Sequence, residues 1–202
     1  MARDIRPKHK LCRLFGEKLC DSPKCPVVRR NYPSGQHGSA RKHAKRSSYG
    51  KQLLEKQKVK RIYGLMERQF ANYVAEASKK TGDTSVFLLN YLEARLDNAV
   101  YRWGVASSRA AARQLVNHGH IRVNGKKVDI PSYRVKVGDI VALKESSKAS
   151  KLFENIAEKL SKKETPAWLA SDAAALTAKV LNQPMVDRPN FDPKLIIGFY
   201  SR

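Results

Sequence analysis

The sequence predicts an α+β protein: helices through the first half of the chain, then two short helices with a small β-sheet. Three observations carry this. Apolar residues recur at helical spacing from Leu53 to Trp103, the period changes to two at Ile121, and Asn124-Gly125 stands where a hairpin would turn. The expected division is 1–50, basic and loop-rich; 51–91 with 182–202, helical; and 92–181, the inserted unit with a following helix and strands.

Up to about Gly50 the chain reads as loop-rich, and within it Pro33, Gly35 and Gly38 in NYPSGQHG preclude a regular helix. Leu53, Leu54, Ile62, Leu65, Met66, Phe70, Tyr73 and Val74 then follow three-and-four spacing, which predicts one or two amphipathic helices. KKTGDT (79–84) breaks the pattern, and Phe87, Leu88, Leu92, Leu96, Val100 and Trp103 set out another helical stripe that stops at Gly104. A short helix starts at Ser107 or Ser108, either able to cap it, and runs to Gly119. Ile121 and Val123 alternate into the hairpin, Val128 and Ile130 return until Pro131, and Ile140–Leu143 forms a further strand. A helix carrying Leu152, Phe153, Ile156 and Leu160 follows, and propensity reads ASDAAALTAKVL as helix. Trp168 and Leu169 are expected to pack with Phe199 in the helical part.

Charge narrows the class of partner. The 202 residues carry 40 Lys and Arg against 18 Asp and Glu, a formal +22, and residues 1–61 hold 18 of the cations with only 4 of the acids. Such an excess suits a polyanion, bound with release of counterions and weakened steeply by salt. A membrane surface is disfavoured by the lack of any apolar run of 18 residues, and MARDIRPKHK lacks the apolar core of a signal peptide, so the expectation is a soluble, cytoplasmic chain.

The segment RLDNAVYRWGVASSRAAARQLVNHGHIRVNGKKVDIPSYRVKVGDIVAL (95–143) resembles the S-four RNA-binding domain at nearly every diagnostic position. A helix N-terminus at Ser107 or Ser108 offers unpaired N–H groups, and Arg109 and Arg113, four apart, share a face suited to phosphates. Gln114, His118, His120, Arg122, Asn124, Lys126 and Lys127 add polar and positive groups around the hairpin. One departure is Ala111, where similar domains often place Glu to complete a capping box with Ser108. The N-terminal region adds Arg29, Arg30, Gln36, His37, Arg41, Lys42, Lys45, Arg46, Lys51, Lys58 and Arg61, interleaved with Tyr32 and Tyr49. Bases stack on such aromatics while the cations pair with phosphates; a solvated basic face is the simpler reading of the same residues.

The domain alone occurs in several kinds of protein. Its flanks, RRNYPSGQHG, SSYGKQLLEKQKVKRIYGLMERQFANYV, LEARLDNAVYR, PAWLASD and the terminal FYSR, resemble the bacterial-type small-subunit ribosomal protein S-four family along essentially the whole chain. That resemblance implies a mainly helical portion drawn from both ends of the chain, with the S-four domain of two helices on a small β-sheet inserted in it, and a non-enzymatic, primary rRNA-binding constituent of the small ribosomal subunit. It would nucleate folding of the rRNA 5′ domain, contribute to decoding accuracy, and meet mRNA where it enters the subunit, beside ribosomal proteins S-three and S-five. It implies no membrane and no small-molecule substrate, and it favours a strand pair around Leu176–Leu181 over the alanine-rich helix.

All three cysteines, Cys12, Cys20 and Cys25, fall in the basic N-terminal region, and three thiols in a cytosolic chain argue against a disulfide framework. His9 extends them to H-x2-C-x7-C-x4-C, a fourth donor of a type ordinary for zinc. Some members of the family carry a four-cysteine metal site here; the resemblance puts Cys12, Cys20 and Cys25 on three of its positions and His9 on the fourth. The histidine favours structural zinc over an iron–sulfur cluster. The alternative is three unmetallated thiols with His9 turned to RNA or solvent. Two further classes fare worse. An RNA-modifying enzyme needs about 100 to 150 residues for a catalytic domain, and a zinc-dependent DNA-binding regulator needs the twelve-residue recognition segment that this spacing lacks.

Overall fold

The computed structural model describes residues 7–20, 22–39, 47–161, 163–185 and 189–201. The chain divides at 85/86 and 187/188 into two units, a discontinuous one from residues 1–85 and 188–202 and a contiguous one from residues 86–187. The expected limits were 91/92 and 181/182.

In the discontinuous unit, α1 (Lys8–Phe15) ends at Gly16, whose φ of 72° is the left-handed stop that glycine adopts without a Cβ penalty. This helix lies inside the region expected to be loop-rich, ahead of the NYPSGQHG segment. A 3₁₀ turn covers Pro26–Val28. The stripe beyond residue 50 forms two helices, α2 (Ser48–Ile62) and α3 (Glu67–Ser78), with Ser47 Oγ accepting from Gly50 N at 3.2 Å to cap the first. Gly64, at φ 62°, turns the chain between them. The helix α9 (Pro193–Tyr200) packs on both α2 and α3; Asp192 caps it, accepting from Lys194 N at 2.9 Å, with Pro193 at the first position. Val59, Leu65, Phe70, Val74 and Ile196 are buried, and Phe199 lies between Tyr49 and Tyr200 with ring centroids 5.6 and 5.3 Å away.

α4 (Thr84–Glu93) leads into the contiguous unit, where α5 (Leu96–Trp103) and α6 (Arg109–Asn117) pack together as a helix pair. The single stripe expected from Phe87 to Trp103 is therefore broken. Arg95 leaves the helix at φ −65°, ψ 136°, because the flanking backbone pairs with the 131–135 segment: Leu96 N donates to Tyr133 O and Val135 N to Ala94 O, both at 2.8 Å. Ser108, not Ser107, caps α6, its hydroxyl accepting from Ala111 N at 3.3 Å.

The sheet is antiparallel throughout, in the order β2-β1-β3-β5-β4, from β1 (Ile121–Val123), β2 (Lys126–Lys127), β3 (Ile140–Leu143), β4 (Leu169–Asp172) and β5 (Thr177–Val180). Asn124 and Gly125, at φ 50° and 77°, make the hairpin turn. The return strand stops at Lys127, short of Ile130, which is 54% exposed. The alanine-rich stretch is a hairpin, as the family resemblance implied. The Asp172 carboxylate accepts from Ala174 N and Ala175 N at 2.9 and 3.1 Å, Leu176 takes φ 53°, and β5 pairs with β3; these bonds outweigh alanine's helix propensity.

Between β3 and β4 lie α7 (Glu145–Lys148), a 3₁₀ turn at Lys151–Phe153, and α8 (Ile156–Ser161). Asn155, at φ 59°, interrupts the longer helix expected there. One core binds the helix pair to the sheet: Leu96, Val100, Trp103, Val116, Ile121, Val141, Phe153, Leu160, Trp168 and Val180 are buried in it. Trp168 and Leu169 thus belong to this core rather than packing with Phe199, which sits in the other unit.

Candidate RNA-binding surface and metal cluster

The spacing H-x2-C places His9 and Cys12 three residues apart on α1, hence on one helix face. The chain returns so that His9, Cys20 and Cys25 bring ligand atoms within 4.8 Å of one another. His9 Nδ1 lies 3.7 Å from Cys20 Sγ. Cys12, 1% exposed, packs in the same cluster with Cys25 and Val27. Burial, then a hydrogen bond to Cys25, push the Cys20 thiol up to about 11. Burial would raise Cys25 as well, but the Val27 backbone N–H and hydrogen bonds with His9, Cys20 and Cys12 outweigh it and bring that thiol down to about 7. A buried thiol shifted toward its thiolate, among two others and an imidazole, is a donor set of the kind that closes around zinc.

In the contiguous unit the helix pair is knitted by buried charge. Asp97, its side chain 3% exposed, accepts from Arg95 Nε and Nη2 at 3.1 and 3.0 Å and from Arg113 Nε and Nη2 at 2.8 and 2.7 Å. Glu93, wholly buried, accepts from Arg102 at 3.0 and 2.9 Å and from Asn98 Nδ2 at 2.8 Å. Asn98 in turn accepts from Arg109 Nε at 2.8 Å, while the Arg109 guanidinium sits 4.5 Å from the Tyr101 ring centroid. Arg109 is thereby aimed by Asn98 and Tyr101, with Glu93 fixing Asn98 behind them.

Arg113 does not share that role. Expected beside Arg109 on a phosphate-facing surface, it is 8% exposed and committed to Asp97. Lys58 is corrected likewise: it is 5% exposed, with its ammonium 2.6 Å from Glu17. In both cases a buried cation requires a carboxylate, and solvent-facing chemistry gives way to that requirement.

His120 is also drawn inward. Its Nδ1 shares a 2.9 Å hydrogen bond with Ser147 Oγ and its ring meets Phe153 edge-on at 5.6 Å. Burial, then the nearby charges of His118 and Lys144, lower its pKa, so it is neutral at physiological pH. Asn124 is a structural bracket, donating to Asp139 Oδ1 at 2.8 Å and accepting from Ile140 N at 2.9 Å. Gln114, His118, Lys126 and Lys127 are exposed, and Arg122 is half-buried on the sheet face away from the helices.

In the discontinuous unit Arg29, Arg30, Gln36, His37 and Lys51 are exposed and Arg61 is half-buried. Arg41, Lys42, Lys45 and Arg46 lie outside the described residues. Sequence reasoning missed Asn98 and Tyr101, which aim Arg109, and Arg134, stacked 4.3 Å from the Tyr91 ring centroid. For Asn98 the signal was its place in RLDN beside Asp97; for Arg134 there was none, since its partner lies 43 residues away in sequence.

Comparison with known proteins then decides the family. Residues 3–93 match the Ribosomal protein S4/S9 N-terminal domain and residues 94–141 match the S4 domain. The small ribosomal subunit protein uS4A of Symbiobacterium thermophilum is 49% identical over 211 residues, covering 100% of both chains. The chain belongs to the ribosomal S4 family. Its similarity to the uS4 proteins of Caldicellulosiruptor bescii (49%) and Thermus thermophilus (48%) likewise spans 100% of each chain. The family is structural and non-enzymatic. Its two matched regions meet between Glu93 and Ala94, where the helical stripe breaks, and the second ends within β3, before the β4–β5 hairpin that extends the sheet.

Proposed function

We propose that this chain is a structural constituent of the small ribosomal subunit in the bacterial cytoplasm, bound to small-subunit rRNA. The observation that carries the reading is the aimed Arg109, fixed by Asn98 and stacked on Tyr101 at the α6 N-terminus, on a domain of an RNA-binding family. A guanidinium held in advance loses little freedom on meeting a phosphate. The finer reading is a primary binder of the rRNA 5′ domain that nucleates its folding and supports decoding accuracy, next to mRNA and to ribosomal proteins S-three and S-five. Competition among folded small-subunit rRNA, duplex DNA and tRNA at fixed salt tests it: preference for the rRNA is expected, and equal affinity for all three would refute specific recognition. Cosedimentation with small subunits should also survive a high-salt wash.

His9, Cys12, Cys20 and Cys25 would hold one structural zinc ion, which would cross-link α1 to the loop after it. Metal analysis of purified protein should find one zinc per chain. The His9→Ala variant should lose zinc readily to a chelator and lose helical signal with it. Absence of zinc from the wild-type protein would rule the site out.

A further inference from the structure

Beside the cysteine cluster lies a cavity of about 690 Å³ with four cations in its lining, Arg13, Lys24, Arg29 and Arg30. Elsewhere in this unit, inward-drawn cations meet carboxylates: Lys56 and Lys60 share Glu67, and Lys58 has Glu17. Here, among the described residues, no carboxylate pairs with Lys24, Arg29 or Arg30, all of which are exposed. Arg13 braces the wall, donating to Tyr32 O at 2.9 Å and Pro33 O at 3.1 Å with its guanidinium 5.0 Å from the Tyr32 ring centroid. Like charges gathered around one concavity repel one another, and an anion placed among them reverses the sign.

The same cavity has an apolar side. Pro26 and Val28 line it, and Val28 is 74% exposed, a large aliphatic group turned to water at the tip of its 3₁₀ turn. The volume exceeds what a bare phosphate requires and falls within the range of about 300–1,000 Å³ typical of sites for organic ligands. A ligand with one anionic group and one flat apolar surface answers both features.

We propose that this cavity receives a single unstacked nucleotide of the bound RNA, its phosphate against Lys24, Arg29 and Arg30 and its base against Val28 and Pro26. This rests on the reading that the chain binds RNA. RNA is recognised most specifically through such splayed nucleotides, and the backbone from Cys25 to Arg30 that forms the site is held at one end by the cysteine cluster.

The test uses the full chain. Uridine 5′-monophosphate and inorganic phosphate are titrated at fixed ionic strength while the amide resonances of Lys24, Val28, Arg29 and Arg30 are followed. Saturable shifts confined to this segment are expected, with the nucleotide roughly fivefold tighter than phosphate, as burial of about 40 Å² of base surface would give. The Arg29→Ala/Arg30→Ala variant, altered only at exposed positions, should abolish those shifts. It should also reduce the salt dependence of rRNA binding by about 0.7 to 0.9 in log-log slope, one phosphate's worth. Equal affinity for phosphate and nucleotide would overturn the proposal in favour of a plain anion site, and so would the absence of shifts. Should the wild-type protein fail to prefer rRNA while the nucleotide still saturates the cavity, the RNA reading falls and the cavity belongs to a free nucleotide instead.

Discussion

Replacing Glu67 by Gln removes one charge from the junction that secures α9. The carboxylate accepts from Lys56 Nζ and Lys60 Nζ at 2.7 Å each and from Tyr200 OH at 2.8 Å. Burial acts to raise its pKa, but the two ammonium groups and the phenol outweigh it and hold the group at about 2, against an ordinary 4.5. At full value such a displacement is worth roughly 3 kcal/mol. With 47% of the Glu67 side chain in water, screening reduces it to about 1 to 1.5 kcal/mol. Gln keeps the shape and one acceptor oxygen but removes the charge opposite Lys56, whose side chain is 9% exposed and whose ammonium lies 4.3 and 5.6 Å from the Phe199 and Tyr200 ring centroids. The expected total loss is about 1 to 2 kcal/mol at pH 7.

The pH dependence has a definite sign. A lowered carboxyl pKa stabilises the fold fully above about 4.5, and that contribution fades as pH falls toward 2. Wild type and Glu67→Gln should therefore differ at pH 7 and converge near pH 2. Both tryptophans, Trp103 and Trp168, lie in the contiguous unit, so their fluorescence does not report this junction. Hydrogen exchange of the α9 amides does. A difference below about 0.5 kcal/mol at pH 7, or one unchanged at pH 2.5, would refute the reasoning.

Three other substitutions probe the remaining parts. Asp97→Asn removes the carboxylate that Arg95 and Arg113, 1% and 8% exposed, share; a loss of about 3 to 5 kcal/mol is expected in urea unfolding followed by tryptophan fluorescence, and a loss below about 1 kcal/mol would contradict it. Ser108→Ala deletes the α6 cap and should cost about 1 kcal/mol in the same assay, since no Glu at position 111 can compensate. Gly38→Ala would drive a Cβ into the Pro33 carbonyl oxygen, far inside contact distance, so the 33–38 turn must open. Faster proteolysis of that turn with unchanged unfolding of the contiguous unit is the expected result.

Strong periodicity made the α+β class, the α5–α6 pair and the β1 hairpin legible, because each is specified by residues close in sequence. What escaped depends on distant partners. The break at Arg95 follows from pairing with Tyr133 and Val135, and the β4–β5 hairpin from Asp172 and from docking on β3. The α1 helix escaped for a different reason: its apolar face is little more than Leu11, Cys12 and Phe15, too short a stripe to stand out among cations. On the surface, a count of basic residues could not separate Arg109 from Arg113 or Lys51 from Lys58. Which of each pair faces water is decided by Asp97 and Glu17, and a carboxylate's position in space is not written in the spacing of lysines and arginines.

The division of the chain also sets an order of events during synthesis. The unit from residues 86–187 is contiguous and can close as soon as it has emerged, whereas the unit that begins earlier waits for α9, which emerges later. The Tyr200–Glu67 bond spans 133 residues, a long chain closure whose path folding of the intervening unit shortens. Until then α2 and α3 lack the face that covers them, and their lysine-rich surfaces are accessible to whatever polyanion is near. The part of the molecule made first is thus the last to be finished.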